Sequence, residues 1–290
     1  MDLPLFIIRE LSGPYGPEVT EKINQIIHWY NTYAGGADFE TELEGSEEFE
    51  PTKLRAKKIR RLINKQAEFM VGKPPDIKVS CPDEKKGEQG RPNESAMQEY
   101  LKEVLKKNLW SDKLLKGAKD CFIGGKVALK VNATPDKLGI MFVPADGFFY
   151  ETEPDDVDVL KKVVLFYCVN DSEDKTEQRW WRQRYRMDKG RCYVSESLHD
   201  GFGDTISGYE IEDRDTKLDR IPVYIIVNDG LSGDMDGESD VETIMDEDSW
   251  YNKMRSANLD TIRKTMNQIT WVSGVSPNAF EKLTNAPGTI

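Results

Sequence analysis

At 290 residues the chain can bury a core without disulfide or metal staples, as one large domain or two ordinary ones. Only 38% of the residues are hydrophobic, 32% are charged and the net charge is −12, which excludes a DNA-wrapping protein, because a tight grip on a polyanion needs a basic face. Aromatic residues, at 10%, are too plentiful for a disordered chain, so the polarity points to an assembled protein with a large solvated surface.

Near the N-terminus, "PEVTEKINQIIHWYNTYAGG" reads as a helix, with acids and Pro17 at its start and Gly35–Gly36 at its stop. Ile23, Ile26, Ile27 and Tyr30 give it one apolar face, and an acidic loop follows. A second helix is predicted over 52–71, with Leu54, Ile59, Leu62, Ile63, Ala67 and Met70 at threes and fours. Its basic run "KLRAKKIRR" reads as a solvated face rather than a nucleic-acid patch. "DIKVS" then reads as a short strand, and a polar Gly/Pro loop leads to helices in "ESAMQEYLKEVLKKNLW" and "SDKLLKGAKDCFIGG", the latter with Ser111–Asp112 as its N-cap.

After Gly125 the period changes. "KVALKVN", "LGIMFVP", "KKVVLFYCVN", "RWWRQRYRMD", "RCYVSES" and "IPVYIIVN" are β-branched and aromatic runs split by "TPDK", "NDSEDK" and "MDKGR". Connections this short predict an antiparallel meander. From 239 a three-or-four spacing returns through Val241, Ile244, Met245, Tyr251, Met254, Ile262, Met266 and Ile269. The fold class expected is α+β: a helical N-terminal part, an antiparallel mixed sheet in the middle and a long C-terminal helix. A helix of roughly thirty residues spans about 45 Å, and its narrow, broken stripe calls for neighbours that its own chain does not supply.

The acid-rich "GDMDGESDVETIMDEDSW" invites a calcium reading, which its spacing refuses. Counting from Asp234, the sixth position is Ser239 rather than Gly, and the twelfth is Met245 rather than Glu. Ser239–Glu242 fits a capping box instead, with acids at the positive end of the helix dipole. A Mg²⁺-dependent nuclease is the competing reading: Asp76, Asp83 and Lys85 match a loose PD…(D/E)xK pattern in which two acids hold the metal and a lysine assists hydrolysis. Its second half falls in a polar loop, where rigid placement is not expected. "FIGGK" has Asp120 where a phosphate loop needs its first Gly, and Trp180–Trp181 with Arg182, Arg184 and Arg186 reads as one packed and one wet strand face.

The four cysteines form no CxxC pair and read as reduced thiols of a cytosolic protein. His28 and His199 lack companions at ligand spacing, so no metal and no cofactor are expected. Neither a signal peptide nor a membrane span is expected, because no basic start precedes an apolar run and no stretch approaches eighteen apolar residues.

Four stretches in order resemble the SPP1-like portal family of tailed bacteriophages: "KKIRRLINKQAEFMVGKPPDIKVS", "LKEVLKKNLWSDKLLKGAKDCFIGGKVALKVN", "GIMFVPADGFFYETEPDD" and "IPVYIIVNDG" continuing into "SDVETIMDEDSWYNKMRSANLDTIRKTMNQITWVSG". The resemblance implies a non-enzymatic homo-oligomeric ring, commonly of twelve subunits, at one capsid vertex. Double-stranded DNA would pass through it non-specifically, with terminase, capsid or scaffold, and head-completion proteins as partners and no membrane. It implies a virion component assembled in the bacterial host cytoplasm. It divides the chain into an N-terminal arm with one helix (1–51), an α+β wing (52–227), a leading loop and stem helix (228–270) and the start of a clip (271–290). Ile244, Tyr251, Met254, Ile262 and Met266 become the expected stem contacts between subunits, with Ser239 and Glu242 as the helix cap. The family's chains continue past the point where this one ends, at "APGTI", so this chain alone is not expected to close a stable ring.

Overall fold

The computed structural model describes residues 16–36, 51–79, 91–134, 137–172, 174–231 and 233–266. Four helices come first: α1 (Gly16–Ala34), α2 (Lys58–Val71), α3 (Arg91–Lys107) and α4 (Trp110–Gly124). Eight strands follow: β1 (Lys126–Thr134), β2 (Lys137–Pro144), β3 (Phe148–Glu153), β4 (Asp156–Asn170), β5 (Arg179–Asp188), β6 (Arg191–Asp200), β7 (Ile211–Asp215) and β8 (Val223–Val227). The last described element is the 27-residue helix α5 (Asp240–Met266). The fold is α+β, and every strand pairing is antiparallel.

The strands do not form one meander. A 3₁₀ turn at Ala145–Gly147 divides them into a three-stranded sheet, ordered β2-β1-β8, and a five-stranded sheet, β3 to β7 in chain order. The five-stranded sheet is a meander, in which β4, β5 and β6 are three of the expected runs. β8 leaves it and returns to pair with β1, placing the start of α5 beside the end of α4. One face of the five-stranded sheet packs on the three-stranded sheet through Phe148, Val163, Leu165, Tyr185 and Val194 against Ala128, Val143 and Val223. The other carries Phe149, Val164, Phe166 and Trp180 and receives Ile23 of α1. Cover on both faces accounts for β4 being buried without interruption from Val163 to Phe166, where a one-faced strand alternates. A third cluster joins Ile26 and Trp29 of α1, Ile59 and Ile63 of α2, Phe122 and Ile123 of α4, and Val241 of α5.

Several sequence expectations change locally. Residues 52–57 are not helical: α2 begins at Lys58, after Lys57 in the left-handed region at φ 49°. "DIKVS" lies outside any sheet over its described residues. There the Gln98 side chain of α3 stands in for a partner strand, accepting from the Val79 N–H at 2.6 Å and donating to the Ile77 carbonyl at 2.8 Å. Ser111–Asp112 does not cap α4; Leu109, at φ 52°, occupies that place without a side-chain hydrogen bond. The "MDKGR" turn forms a two-residue hairpin loop in which Lys189 and Gly190 both have positive φ, the twist that suits adjoining strands.

Candidate assembly helix and its joint

The start of α5 is tied to almost every element around it. Asn228, just after β8, donates its backbone N–H to the Gly125 carbonyl at 2.8 Å, and its side-chain amide to the Glu238 carbonyl at 2.8 Å and the Asp240 carboxylate at 3.1 Å. Glu238 returns its N–H to the Asn228 carbonyl at 2.9 Å. The chain passes so close at Gly237 that a Cβ there would lie 2.1 Å from the Asn228 carbonyl oxygen and 2.3 Å from that of Gly125. Only glycine fits such an approach. Lys126 pairs with Asp236 and lies over the Phe148 and Tyr150 rings, while the Tyr150 hydroxyl donates to the Met235 carbonyl.

The Ser239 hydroxyl accepts from the N–H groups of Val241 at 3.2 Å and Glu242 at 3.4 Å, and donates to the Ile123 carbonyl of α4. Glu242 does not reach back to Ser239; its carboxylate accepts from Gln25 of α1 at 2.9 Å. Asp240 accepts from Gln66 of α2 at 2.7 Å. Four of the acids that looked like a metal loop hold a nearby donor: Asp234 the Leu231 N–H, Asp236 the Lys126 amine, Asp240 two amides and Asp248 the Asn252 amide. Among the described residues no three His, Cys, Asp or Glu are placed to share a metal ion.

Beyond the joint, α5 has two unlike long faces. The inner one is polar. Asn252, Ser256 and Asp260 are buried, and their side-chain oxygens accept the backbone N–H groups of Ala56 at 3.0 Å, Leu54 at 3.0 Å and Thr52 at 3.1 Å. Four residues of helix advance about 6.0 Å, and two residues of extended chain about 6.6 Å. The two repeats nearly coincide, so an extended strap, running antiparallel to α5, places alternate N–H groups on successive turns. Arg263 adds a hydrogen bond to the Thr52 hydroxyl at 2.8 Å. This need for partners holds 52–57 out of helix α2.

The outer face is an i+4 ridge: Glu242, Asp246, Trp250, Met254, Asn258, Ile262 and Met266 are all exposed. Its apolar members Trp250, Met254, Ile262 and Met266 are 61, 57, 54 and 69% exposed, far more than a core helix leaves uncovered. Of the residues expected to meet neighbours, Met254, Ile262 and Met266 lie on this ridge. Ile244 packs half-buried on the helical core of its own chain, and Tyr251 sits beneath the Lys58 amine of α2. Trp250 was missed, although it stands four residues before Met254. The ladder Asn252–Ser256–Asp260 was legible only as polar residues at fours.

Of the nuclease pattern, Asp76 is exposed, 3.8 Å from the Lys78 amine. Asp83 and Lys85 lie outside the described residues. In the basic run, Arg55 donates to the Gly35 carbonyl at 2.8 Å and Lys58 covers Tyr251. The β5 arginines are tied across the sheet, Arg186 to Asp213 of β7 at 2.7 Å and Arg184 to the same carboxylate at 3.7 Å. Beside the joint, Tyr30 of α1 donates to the Asp120 carboxylate at 3.3 Å. Burial, reinforced by Asp146, lifts the Asp120 carboxyl to about 6, against the lowering effect of the Tyr30 hydrogen bond.

The long helix α5 is thus pinned at its base and exposes an apolar ridge along its length, a surface that packing against another element would bury. The sequence profile described as phage portal protein, SPP1 Gp6-like, matches residues 14–288. The chain belongs to this portal protein family. The search of curated proteins returns no match. Portal family membership supports a structural, oligomeric, capsid-associated role in a phage virion. No described helix of this portal protein is long and apolar enough to cross a membrane.

Proposed function

We propose that this portal protein is one subunit of a twelve-membered ring at the unique capsid vertex, through which double-stranded DNA is packaged and ejected. Terminase, capsid or scaffold, and head-completion proteins dock on that ring, which is assembled in the bacterial host cytoplasm. The role is structural rather than catalytic. In this reading residues 1–51 are an arm, 52–227 the wing, 228–270 the leading loop and stem helix, and 271–290 the start of the clip. Trp250, Met254, Ile262 and Met266 form the stem contact with the neighbouring subunit.

The observation that carries the proposal is the outer ridge of α5. Ridges of residues at fours fit into the grooves of a facing helix, and from Trp250 to Met266 this one stands exposed. The negative net charge suits a conduit that passes DNA without holding it, over the roughly 10 Å that salt leaves unscreened. Sedimentation velocity across a concentration series tests the contact. Self-association that weakens about tenfold or more in Trp250→Asp or Ile262→Asp, with unchanged circular dichroism, is expected. A protein that stays monomeric throughout, or associates equally well with both changes, overturns this assignment of the ridge.

A further inference from the structure

Two exposed surfaces, one on the helical layer and one on the larger sheet, are opposite in charge, and each carries apolar groups. The first is the outer face of α2. Ile59, Ile63 and Ala67 bury its inner side, whereas Arg61, Leu62, Lys65 and Phe69, at spacings of three and four, are exposed on the other. Phe69 is 95% exposed. Aromatic anchors left in water beside cations are what protein interfaces bury. The helix carries four cations and one acid in a chain of net charge −12, so this face reverses the sign of the molecule.

The second surface is the outer end of the β3–β4 hairpin, at the edge of the five-stranded sheet. Residues 151–159, "ETEPDDVDV", hold five acids and no cation. Register shifts on both sides of Thr152 leave 157–159 without partners on β3. Such a bulge at a sheet edge re-aims side chains, and Val157 and Val159 are exposed in it. Among the described residues no acid pairs with Arg61 or Lys65, and no cation with Asp155 or Asp158. Apolar groups between the cations of α2 fit this hairpin better than a phosphate backbone, which offers charge alone.

We propose that the outer face of α2 in one subunit docks on the β3–β4 hairpin of the next, with Arg61 and Lys65 facing Asp155 and Asp158, and Leu62 and Phe69 against Val157 and Val159. The inference rests on the ring reading and gives the wing a contact of its own, separate from the α5 ridge. The two surfaces are unlike, so the contact is heterologous: it runs from subunit to subunit in one direction, as a ring requires.

Reversing charge on either side tests the pairing by sedimentation velocity on the full chain at low salt. Arg61→Glu with Lys65→Glu, or Asp155→Lys with Asp158→Lys, is expected to weaken self-association about tenfold or more, because like charges then face each other. An equimolar mixture of the two variants is expected to restore it, since each altered surface then meets a complementary one. In the unaltered protein, a carbodiimide is expected to link Lys65 to Asp155 or Asp158 between isotopically different chains. Association that each variant loses and the mixture does not regain, with unchanged circular dichroism, overturns the proposal, as does the absence of that link in associated protein. A protein monomeric at every concentration overturns the ring reading and this contact together. Association that Trp250→Asp abolishes and both charge variants leave intact overturns this contact alone.

Discussion

Asp120 and Gly237 show how single residues set the joint. The folded Asp120 carboxyl titrates at about 6, above the ordinary 3.8. A raised carboxyl contributes stability that is complete below about 3.8 and lost as pH rises through 6. At neutral pH the fold therefore holds a charge it would sooner lose. Asp120→Asn keeps an acceptor for Tyr30 and removes that charge. It is expected to stabilise the protein by about 1–3 kcal/mol at pH 8, with the gain vanishing near pH 4. Thermal melts of both proteins across that range measure the difference; a constant offset would mean that Asp120 does not titrate in this way. At Gly237 the effect has the opposite sign. A methyl group driven into two carbonyl oxygens must push β8 and α5 apart, and Gly237→Ala is expected to cost about 2–3 kcal/mol or more in denaturant unfolding.

At the scale of elements, the strap and α5 depend on each other. Removing the Asn252 or Asp260 side chain leaves a partly buried N–H of the strap without its acceptor, which costs about 1 kcal/mol for each group. Asn252→Ala and Asp260→Ala are expected to raise amide exchange at Ala56 and Thr52 respectively, and to open the chain to trypsin at Lys53 and Arg55. Exchange that rises uniformly over the protein would point to general destabilisation instead. The strap also marks where local reading of sequence fails. α1 and α4 were legible because their stop signals and apolar faces lie within their own stretches, and α5 because its cap and its three-or-four spacing do. Leu54 and Ile59 fit a helical stripe too, but the conformation of 52–57 is set by acceptors some two hundred residues later. β7 escaped for a related reason. "IEDRD" has almost no apolar content, and it pairs at the sheet edge through the ties of Asp213 and Asp215 to Arg186 and Arg191. In the site, the Ser239 cap could be read from its neighbours in sequence, whereas the bonds from Glu242 to α1 and from Asp240 to α2 required the tertiary fold.

For the molecule as a whole, the two layers leave α5 held at its base and along one side, with its opposite ridge open. An apolar ridge in water is a liability for a monomer and an asset for a subunit. Replacing Met254 and Met266 with Lys is expected to leave the melting temperature within about 2 °C, because surface changes away from packed groups alter stability little. The same pair is expected to abolish concentration-dependent association in light scattering. A large fall in melting temperature would instead mean that the ridge is covered by the chain's own residues.

The antiparallel strap also gives the protein a direction in which it is strong. Its three backbone bonds lie across the axis of α5, one per turn. A force along the helix must shear all three at once, together with the hydrogen bonds at the joint. A force that lifts the strap from its end at Thr52 peels them one after another. The helix is thus braced against axial load and weak against peeling, so a pulling experiment should find a higher rupture force along α5 than across it.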